Sequence, residues 1–390
     1  MRALVVAPHP FFTPRGTPFS VYYRTLITAE LGVDVDLLTY WEGEGVAIPG
    51  VRVIRIPWVP FTSHVRVGPS LKKLVLDLVM LVWTVGLLLR HRYDFVHAHE
   101  ESVFWCSWLK PIFRFKLVYD MHSSLPQQLS NFEFTKSHLL IQAFERLEKA
   151  ALRAATAVIT ICPDLATYVE PLVKDPSRHI LIENSIFEDV KLASATPASV
   201  TETEMMKSVP RPPLVVYSGT FESYQGIDVL IQAFARVHER RPDASLLLVG
   251  GTPTQVARYR AIADSHGLNG GCRFTGRVPQ AIARCLSQQA TVLTSPRVKG
   301  TNTPLKIYEQ LASGIPLVAT RIHSHTQVLD DEVCFLVEPT VTDMADGIFQ
   351  AITDSDRRDA VTRRALDLYD RRYARHAYEE KMRRLLQLLG

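Results

Sequence analysis

The sequence predicts an α/β protein with two separate parallel sheets. Short apolar strands alternate with amphipathic helices in both halves of the 390-residue chain. The alternation stops once, between residues 188 and 213, where Ser, Thr, Ala and Pro replace the periodic pattern. A chain of this length is typical of two domains. We therefore expect an N-terminal domain at residues 1–187, a linker at 188–213 and a C-terminal domain at 214–372.

The N-terminal half opens with an apolar strand, a loop that contains Arg15, Gly16 and Thr17, and a helix from Phe19 to Leu31. Glycine in a strand-to-helix loop lets the backbone approach a ligand, although a plain turn would also use it. The predicted strands are Ala3–Ala7, Val33–Thr39, Arg52–Ile56, Phe95–Ala98, Lys116–Asp120, Ala157–Ile161 and Ile180–Ile182.

The C-terminal half repeats this alternation independently. Its predicted strands are Leu214–Ser218, Ser245–Val249, Arg273–Thr275, Thr291–Thr294 and Leu317–Thr320, and its predicted helices include Ile227–Arg240, Gln255–His266 and Gln280–Ser287. Ligands of parallel sheets bind at the carboxyl ends of the strands. Two such sheets joined by a linker predict a ligand cleft between the domains.

The most informative motif follows the strand that ends at Thr294. A polar loop with Thr301, Asn302 and Thr303 leads into a short helix that carries Lys306 and Glu309. The helix N-terminus offers unpaired N–H groups to a phosphate, and Lys306 adds a full positive charge. Glu309, one turn on, can accept two hydroxyls. This is the chemistry of a nucleotide-sugar site, although a helix with both side chains solvated would show the same local pattern.

Nine motifs in order resemble family 4 glycosyltransferases of the GT-B fold over almost the whole chain. They are the first strand with the Gly16 loop, residues 93–99 (YDFVHAH), 118–122 (VYDMH), 157–162 (AVITIC), 182–185 (IENS), 217–219 (YSG), 247–251 (LLVGG), 274–276 (FTG) and the Lys306 to Gly314 helix. The resemblance implies an α/β protein with two Rossmann-like domains whose parallel sheets face each other across a cleft. It also implies a nucleotide sugar in the C-terminal domain and an acceptor in the N-terminal domain.

The resemblance implies roles for particular residues. Glu309 would bind the ribose, while His122 would contact the donor sugar and orient the acceptor; a histidine that only caps its loop is the alternative. The C-terminal candidates for donor binding are Gly219, Thr220, Thr301, Asn302, Thr303, Lys306 and Glu309. The N-terminal candidates for the acceptor or cleft loop are Arg15, Gly16, Thr17, His99 and Asp120.

Retaining enzymes of this type use no side-chain nucleophile, and the leaving group departs from the face that the acceptor attacks. The chemical requirement is then stabilisation of the leaving diphosphate. We assign this role to Lys306 and helix N–H groups, and we expect Asp120 to support the site rather than act as a base.

The chain departs from the family pattern at the donor site. Thr301 stands where the family usually has a sugar-facing glutamate, and Thr220 and Gln225 stand in the loop that usually supplies Arg and Lys for the diphosphate. Two phosphates need positive compensation inside a cleft. Lys306 is the candidate replacement, with Arg297 and Lys299 in reserve, and a decayed donor site is the alternative.

Charge and cysteine content exclude other classes of function. A net charge of +4 is too near balance for a nucleic-acid-binding protein, and the five scattered cysteines form no C-x-x-C pair. His97 and His99 alternate on one strand and could bind a metal, but the sequence places no third ligand. The family has histidines at this strand end without a metal. We expect no metal and no required cofactor beyond the donor, while a divalent ion stays an option.

The window from Arg52 to Lys116 favours contact with an anionic membrane. It combines ten Lys or Arg and four Asp or Glu with several aromatic residues and with an apolar run from Leu74 to Leu89 that is too short to span a bilayer. A buried core helix is the alternative. The N-terminus does not resemble a signal peptide, so we expect a cytoplasmic protein with the option of a peripheral position on the inner face of the membrane.

The last helix, within residues 373–390, packs back toward the N-terminal domain if the resemblance holds, whereas an amphipathic helix for a membrane or a partner would show the same pattern. Together these observations predict a retaining glycosyltransferase of the hexosyltransferase type. Its donor would be a nucleoside diphosphate sugar, UDP-linked because that is common in the family, and its acceptor a hydroxyl of a lipid, a lipid-linked glycan or a polysaccharide precursor. The alternative is a non-catalytic sugar-nucleotide or glycan binding protein. A dehydrogenase is disfavoured because neither half has G-x-G-x-x-G after its first strand.

Overall fold

The computed structural model describes residues 1–12, 16–63, 70–124, 126, 138–173, 175–184, 187, 209–210 and 212–390. The chain divides into two compact units: Met1–Ala195 with Arg375–Gly390, and Thr196–Ala374. The predicted linker at 188–213 lies largely outside the described residues, and Arg15 lies outside them too.

The first unit is built on a seven-stranded sheet in the order β3-β2-β1-β4-β5-β6-β7, and every described pairing in it is parallel. Its central strands are buried along their whole length because helices cover both faces of such a sheet. The strands are β1 (Arg2–Ala7), β2 (Asp34–Thr39), β3 (Val51–Arg55), β4 (Phe95–His99), β5 (Lys116–Met121), β6 (Ala157–Thr160) and β7 (His179–Leu181).

The helices of the first unit connect these strands, except the last, which is the C-terminal segment of the chain. They are α1 (Gly16–Glu30), α2 (Leu71–Arg90), α3 (Ser102–Phe113), α4 (His138–Ala154), α5 (Pro163–Val169) and, from the C-terminus, α13 (Arg375–Leu389). Helix α13 is held in this unit by ion pairs from Arg375 to Glu30 and from Lys381 to Glu183. Its apolar side, which includes Tyr378, is buried.

The second unit repeats the arrangement with a six-stranded sheet in the order β10-β9-β8-β11-β12-β13, again parallel in every described pairing. The strands are β8 (Leu214–Ser218), β9 (Ser245–Val249), β10 (Cys272–Gly276), β11 (Val292–Ser295), β12 (Leu317–Thr320) and β13 (Phe335–Val337). The helices are α6 (Ile227–Arg240), α7 (Pro253–Ser265), α8 (Gln280–Ser287), α9 (Lys306–Ala312), α10 (His323–Thr326), α11 (Val341–Thr353) and α12 (Ser355–Arg372).

The predicted fold class is confirmed: each unit is a Rossmann-like α/β layer structure with a parallel sheet. In both sheets the strand order reverses beside the first strand, between β1 and β4 in one unit and between β8 and β11 in the other. Ligands of doubly wound sheets bind at this reversal, outside the carboxyl ends of the strands. The residues that follow β4, β5, β8 and β11 therefore lie where a ligand of such a sheet binds.

Helix α2 has an unusual orientation. Its polar stripe faces the protein: Lys73 pairs with Glu101, Asp77 accepts a hydrogen bond from the Tyr40 hydroxyl, and Thr84 is buried. Lys72 and Arg90, at the ends of the helix, are exposed. The alternative of a buried core helix therefore holds for only this side of α2, because the opposite side is apolar and exposed. Among the described residues, we find no helix with the length and apolar character that a membrane crossing requires.

Candidate active site

Lys306 is the first residue of α9 and lies at the carboxyl edge of the second sheet. Its ammonium nitrogen is shielded from solvent, and no described residue offers it a hydrogen-bond acceptor. The nitrogen lies 4.1 Å from the centroid of the Tyr217 ring, a cation–π contact. Burial, and to a lesser extent the positive charge of Arg297, lowers the pKa of Lys306 to about 7. A buried cation without an anion is the main electrostatic feature of this site.

The loop after β8 is built to approach this cation closely. Gly219 has φ +152, and a Cβ there would lie 2.9 Å from the Tyr217 hydroxyl and 3.7 Å from Lys306 Nζ. Behind it, a Cβ on Gly250 would come within 2.0 Å of the Gly219 carbonyl oxygen. The Tyr217 hydroxyl donates to the Thr220 carbonyl at 2.7 Å. Glycine is needed at 219 because a larger residue would fill the space above Lys306, and at 250 because a larger residue would displace the Gly219 backbone.

The polar loop before α9 is held mainly through its backbone carbonyls. Arg297 donates to the carbonyls of Lys299 and Asn302 at 2.7 and 3.2 Å, and Gln327 donates to the Thr301 carbonyl. The Thr303 hydroxyl is buried and has no hydrogen-bond partner among the described residues. Thr303 thus adds an unsatisfied hydroxyl to the site that holds the unsatisfied ammonium.

Glu309 lies one turn into α9 and is one-third exposed, with its carboxylate 3.2 Å from the Arg284 guanidinium of α8. Arg284 was not predicted from the sequence. The partly exposed carboxylate can still accept hydroxyl groups, while the ion pair with Arg284 fixes its direction.

Next to this site is a cavity of about 390 Å³, which the sequence argument did not predict. It lies outside the ends of β9 and β10, and its lining includes Gly251, Phe274, Gly276 and Arg277. An aromatic ring, two glycines and a guanidinium leave room for a flat ring and offer it a stacking surface. The motifs at residues 247–251 and 274–276 supply these glycines, but only the strand pairing brings them together.

The first unit carries a separate buried polar cluster at the ends of β4 and β5. Asp120 Oδ2 lies 2.6 Å from Arg24 Nε and 2.9 Å from His97 Nε2. His99 Nδ1 lies 3.1 Å from His122 Nε2, and His122 Nε2 lies 3.3 Å from Asp120 Oδ1. All five side chains are almost fully buried.

The charges of this cluster are fixed by the Arg24 and Asp120 pair. The Arg24 guanidinium and the neighbouring histidines hold the pKa of Asp120 well below its usual range, although burial alone would raise it. Burial lowers the pKa of His122 to about 4, with Arg24 and His97 adding to the effect and Asp120 opposing it. Burial also lowers the pKa of His99. His99 and His122 are therefore neutral near pH 7 and can each donate and accept one hydrogen bond.

His97, His99 and Asp120 have ligand atoms within 4.8 Å of one another, so the structure supplies the third metal ligand that the sequence left open. The Arg24 guanidinium, however, already lies 2.6 Å from the carboxylate oxygen that such an ion would use. A second cation there would be repelled by Arg24. The three side chains alone are suitable metal ligands, but the positive charge of Arg24 disfavours a metal ion beside them.

The structure brings together some candidates and not others. His99, Asp120 and His122 form one cluster, and Gly219 lies close to Lys306 in the second unit. The buried Thr303 hydroxyl belongs to the loop that leads into Lys306. Gly16 and Thr17 start α1, the helix that also carries Arg24. Arg24 was not predicted from the sequence, although a lone cation in the apolar stretch of α1, beside Tyr22 and Tyr23, was a usable signal.

His9, after β1, was also missed. Its pKa is lowered to about 3, chiefly by burial and then by Lys73 and by the protonated form of His122 that exists at low pH. His9 thus lies close to the cluster that holds His122, at the same strand reversal of the first sheet.

Two family models match the chain. The model described as glycosyl transferases group 1 matches residues 201–367, and the model described as glycosyl transferase 4-like domain matches residues 27–185. Among curated relatives, a D-inositol 3-phosphate glycosyltransferase of Corynebacterium urealyticum is 25% identical over 389 residues, 95% of this chain and 89% of the relative. A phosphatidyl-myo-inositol mannosyltransferase of Mycolicibacterium smegmatis is 24% identical over 361 residues, 90% of this chain and 84% of the relative.

Solved structures share the fold at low identity. Sucrose-phosphate synthase from Thermosynechococcus elongatus superimposes with a TM-score of 0.72 at 19% identity, covering 100% of this chain and 98% of the other. HepE from Anabaena, in complex with UDP, gives a TM-score of 0.73 at 18% identity, covering 99% of this chain and 100% of the other.

Two Rossmann-like units, each matched by a glycosyltransferase family model, define an enzyme of the GT-B glycosyltransferase class. The chain belongs to the group 1, family 4-like glycosyltransferases.

Proposed function

We propose that this glycosyltransferase transfers a hexose, with retention of configuration, from a UDP-linked sugar to a hydroxyl of a lipid or lipid-linked acceptor. The observation that carries the proposal is the Lys306 ammonium, which is buried without an acceptor among the described residues. Such a group costs free energy in the free protein, and its position at the sheet edge provides the charge that a diphosphate requires.

The donor fits the surroundings of Lys306 group by group. The diphosphate would lie between the Gly219 loop and Lys306, where it accepts from the ammonium and from the Thr303 hydroxyl. The ribose hydroxyls would donate to Glu309, and the base would occupy the cavity beside Phe274. Lys306 then compensates for the uncharged Thr220 and Gln225, and no metal is required in this scheme. The choice of UDP is supported by the UDP complex of the structural relative HepE.

The first unit supplies groups suited to an acceptor hydroxyl. His122 is neutral and can hydrogen-bond an alcohol, while Asp120 is held by Arg24 and therefore poorly placed to act as a nucleophile. In the reaction the acceptor oxygen bonds to the anomeric carbon on the face from which the diphosphate leaves. The acceptor proton passes to the departing phosphate oxygen, and Lys306 stabilises the negative charge on the diphosphate.

The acceptor class draws support from the curated relatives. One is named for transfer to phosphatidyl-myo-inositol and another for D-inositol 3-phosphate. We propose a lipid with a polyol phosphate head group, and a peripheral position of the protein at the cytoplasmic face of an anionic membrane, where nucleotide sugar and lipid meet.

The donor assignment is tested by thermal stabilisation with a panel of nucleotides and nucleotide sugars, since a ligand that binds the folded state raises the melting temperature. We expect a shift with UDP and a larger one with a single UDP-sugar, both lost in Lys306→Met and kept in Arg363→Met, whose wild-type side chain lies on α12 and is exposed. No shift with any nucleotide would overturn the proposal.

A binding protein without catalysis is the competing function. A binding protein would show the same shifts in melting temperature. It would not release UDP from a UDP-sugar when vesicles of phosphatidylinositol are added. Release of UDP in the wild type and its loss in His122→Ala, at unchanged UDP affinity, would support the enzyme.

A further inference from the structure

The outer side of α2 is a continuous apolar stripe in contact with solvent. Its members recur at helical spacing, and the most exposed are Leu71 at 82%, Leu89 at 73% and Val82 at 63%. Leu74, Val75 and Leu78 belong to the same stripe and are also exposed. No described residue covers it.

Helix α3 extends this surface. Trp108 and Ile112, one turn apart, are 65% and 69% exposed. An apolar cavity of about 400 Å³ joins the two helices, with Val82, Val85 and Trp105 in its lining. We call the exposed apolar residues of α2 and α3 the outer face. A continuous exposed apolar patch on two adjacent helices of a folded protein marks an interaction site.

Acidic and basic side chains near the outer face differ in their positions. The acids on the inner side of α2 or behind it are paired: Asp77 with Tyr40, and Glu100 and Glu101 with Lys73. The exposed charges at the helix ends are mostly basic, namely Lys72, Arg90, Arg92 and Arg114, with Asp94 as the exposed acid. An apolar stripe with basic ends complements acyl chains beneath anionic head groups.

We propose that the outer face is a docking surface for an anionic lipid bilayer, with α2 and α3 lying in its interface. The inner side of α2 connects this surface to the acceptor end of the sheet, because Lys73 binds Glu101 and Glu100, directly after His99. Docking therefore holds the His99 and His122 cluster at a defined position beside the membrane. That the docked lipid is also the acceptor rests on the proposed function, whereas binding of the outer face to a bilayer is independent of the donor and acceptor assignments.

The test is co-sedimentation of the full chain with vesicles of phosphatidylglycerol and phosphatidylcholine, and with phosphatidylcholine alone. We expect binding to the anionic vesicles, weakened by about 0.5 M NaCl through screening. The double variant Leu78→Asp/Val82→Asp should bind at least about tenfold more weakly, because it removes apolar contact and adds negative charge. Both side chains are exposed, so its circular dichroism and melting temperature should match the wild type.

The matched control is Leu366→Asp, an exposed apolar residue of α12 in the other unit, which should bind vesicles like the wild type. Equal binding by the double variant would overturn the proposal. So would a concentration-dependent dimer that the double variant abolishes, with no vesicle binding, because the outer face would then bind a second copy of the chain. The assay needs no turnover, so it can succeed even if the donor or acceptor assignment fails.

Discussion

The Lys306 ammonium lies over the ring of Tyr217, 4.1 Å from its centroid, with no hydrogen-bond acceptor among the described residues. The ring partly compensates for the buried charge, but a π face is a weak substitute for an anion. The contact keeps Lys306 beside the Gly219 loop, where a donor diphosphate would supply the negative charge that pairs with the ammonium.

Donor affinity should depend on pH through Lys306. Its pKa is lowered to about 7 in the free protein, and a bound diphosphate stabilises the charged form and so raises that pKa. Affinity for UDP should therefore be highest below about pH 7 and fall by up to about tenfold per pH unit above it. Titration calorimetry at about pH 6 and about pH 8.5 checks this, and the higher pH should also show uptake of a proton. A flat profile would contradict the assignment.

The buried charge of Lys306 should lower the free energy of unfolding. The pKa of Lys306 is lower in the folded protein than in the unfolded chain, so the unfolded chain binds more protons between about pH 7 and its own pKa, and stability rises with pH across that window. The cost is fully present below about pH 7. Lys306→Met should therefore raise the free energy of unfolding by about 2 kcal/mol at about pH 6, with a smaller gain at about pH 9. Urea unfolding at the two pH values measures the difference, and a destabilised variant at about pH 6 would refute the argument.

Glu309 should contribute through ribose binding alone. Glu309→Gln removes the charge that accepts the hydroxyls and should weaken UDP binding by about ten- to a hundredfold, since hydrogen bonds to charged groups contribute about 1.5–3 kcal/mol. Binding of inorganic pyrophosphate, measured by the same calorimetric titration, should not change. If both ligands weakened equally, Glu309 would act on the site as a whole rather than on the ribose. Arg284→Met is the comparison, and it should have a smaller effect on UDP.

Asp120 should be a structural support before anything else. Asp120→Asn leaves the Arg24 guanidinium buried without its counter-ion, which costs about 3–5 kcal/mol. We expect a melting temperature lowered by many degrees. The double variant Arg24→Met/Asp120→Asn should regain much of that loss, because both charges are gone. A stable but inactive Asp120→Asn protein would instead indicate a direct role in the reaction.

Much of the fold followed from periodicity, because buried parallel strands are continuous apolar runs with helices between them. Helix Ile227–Arg240 and strand Leu214–Ser218 have the predicted bounds. The three-residue strand Phe335–Val337 did not stand out, since so short a run carries no periodic signal.

The candidate site was less predictable because its partners come from distant segments. The sequence showed Lys306 and Glu309, but not that Tyr217 would lie under the ammonium or that Arg284 would bind the carboxylate. It also could not show which side of α2 faces water. An apolar helix with one polar stripe suggests an outward polar side, and here the polar stripe faces inward, where Lys73 pairs with Glu101.

The most direct test of the central claim is calorimetric titration of UDP into the wild type, Lys306→Arg and Lys306→Met at about pH 6.5, where the lysine is largely charged. We predict measurable binding by the wild type, weaker binding by Lys306→Arg, and a loss of about a hundredfold or more in Lys306→Met. Equal affinity of Lys306→Met and the wild type would contradict the claim that this buried ammonium binds the donor diphosphate.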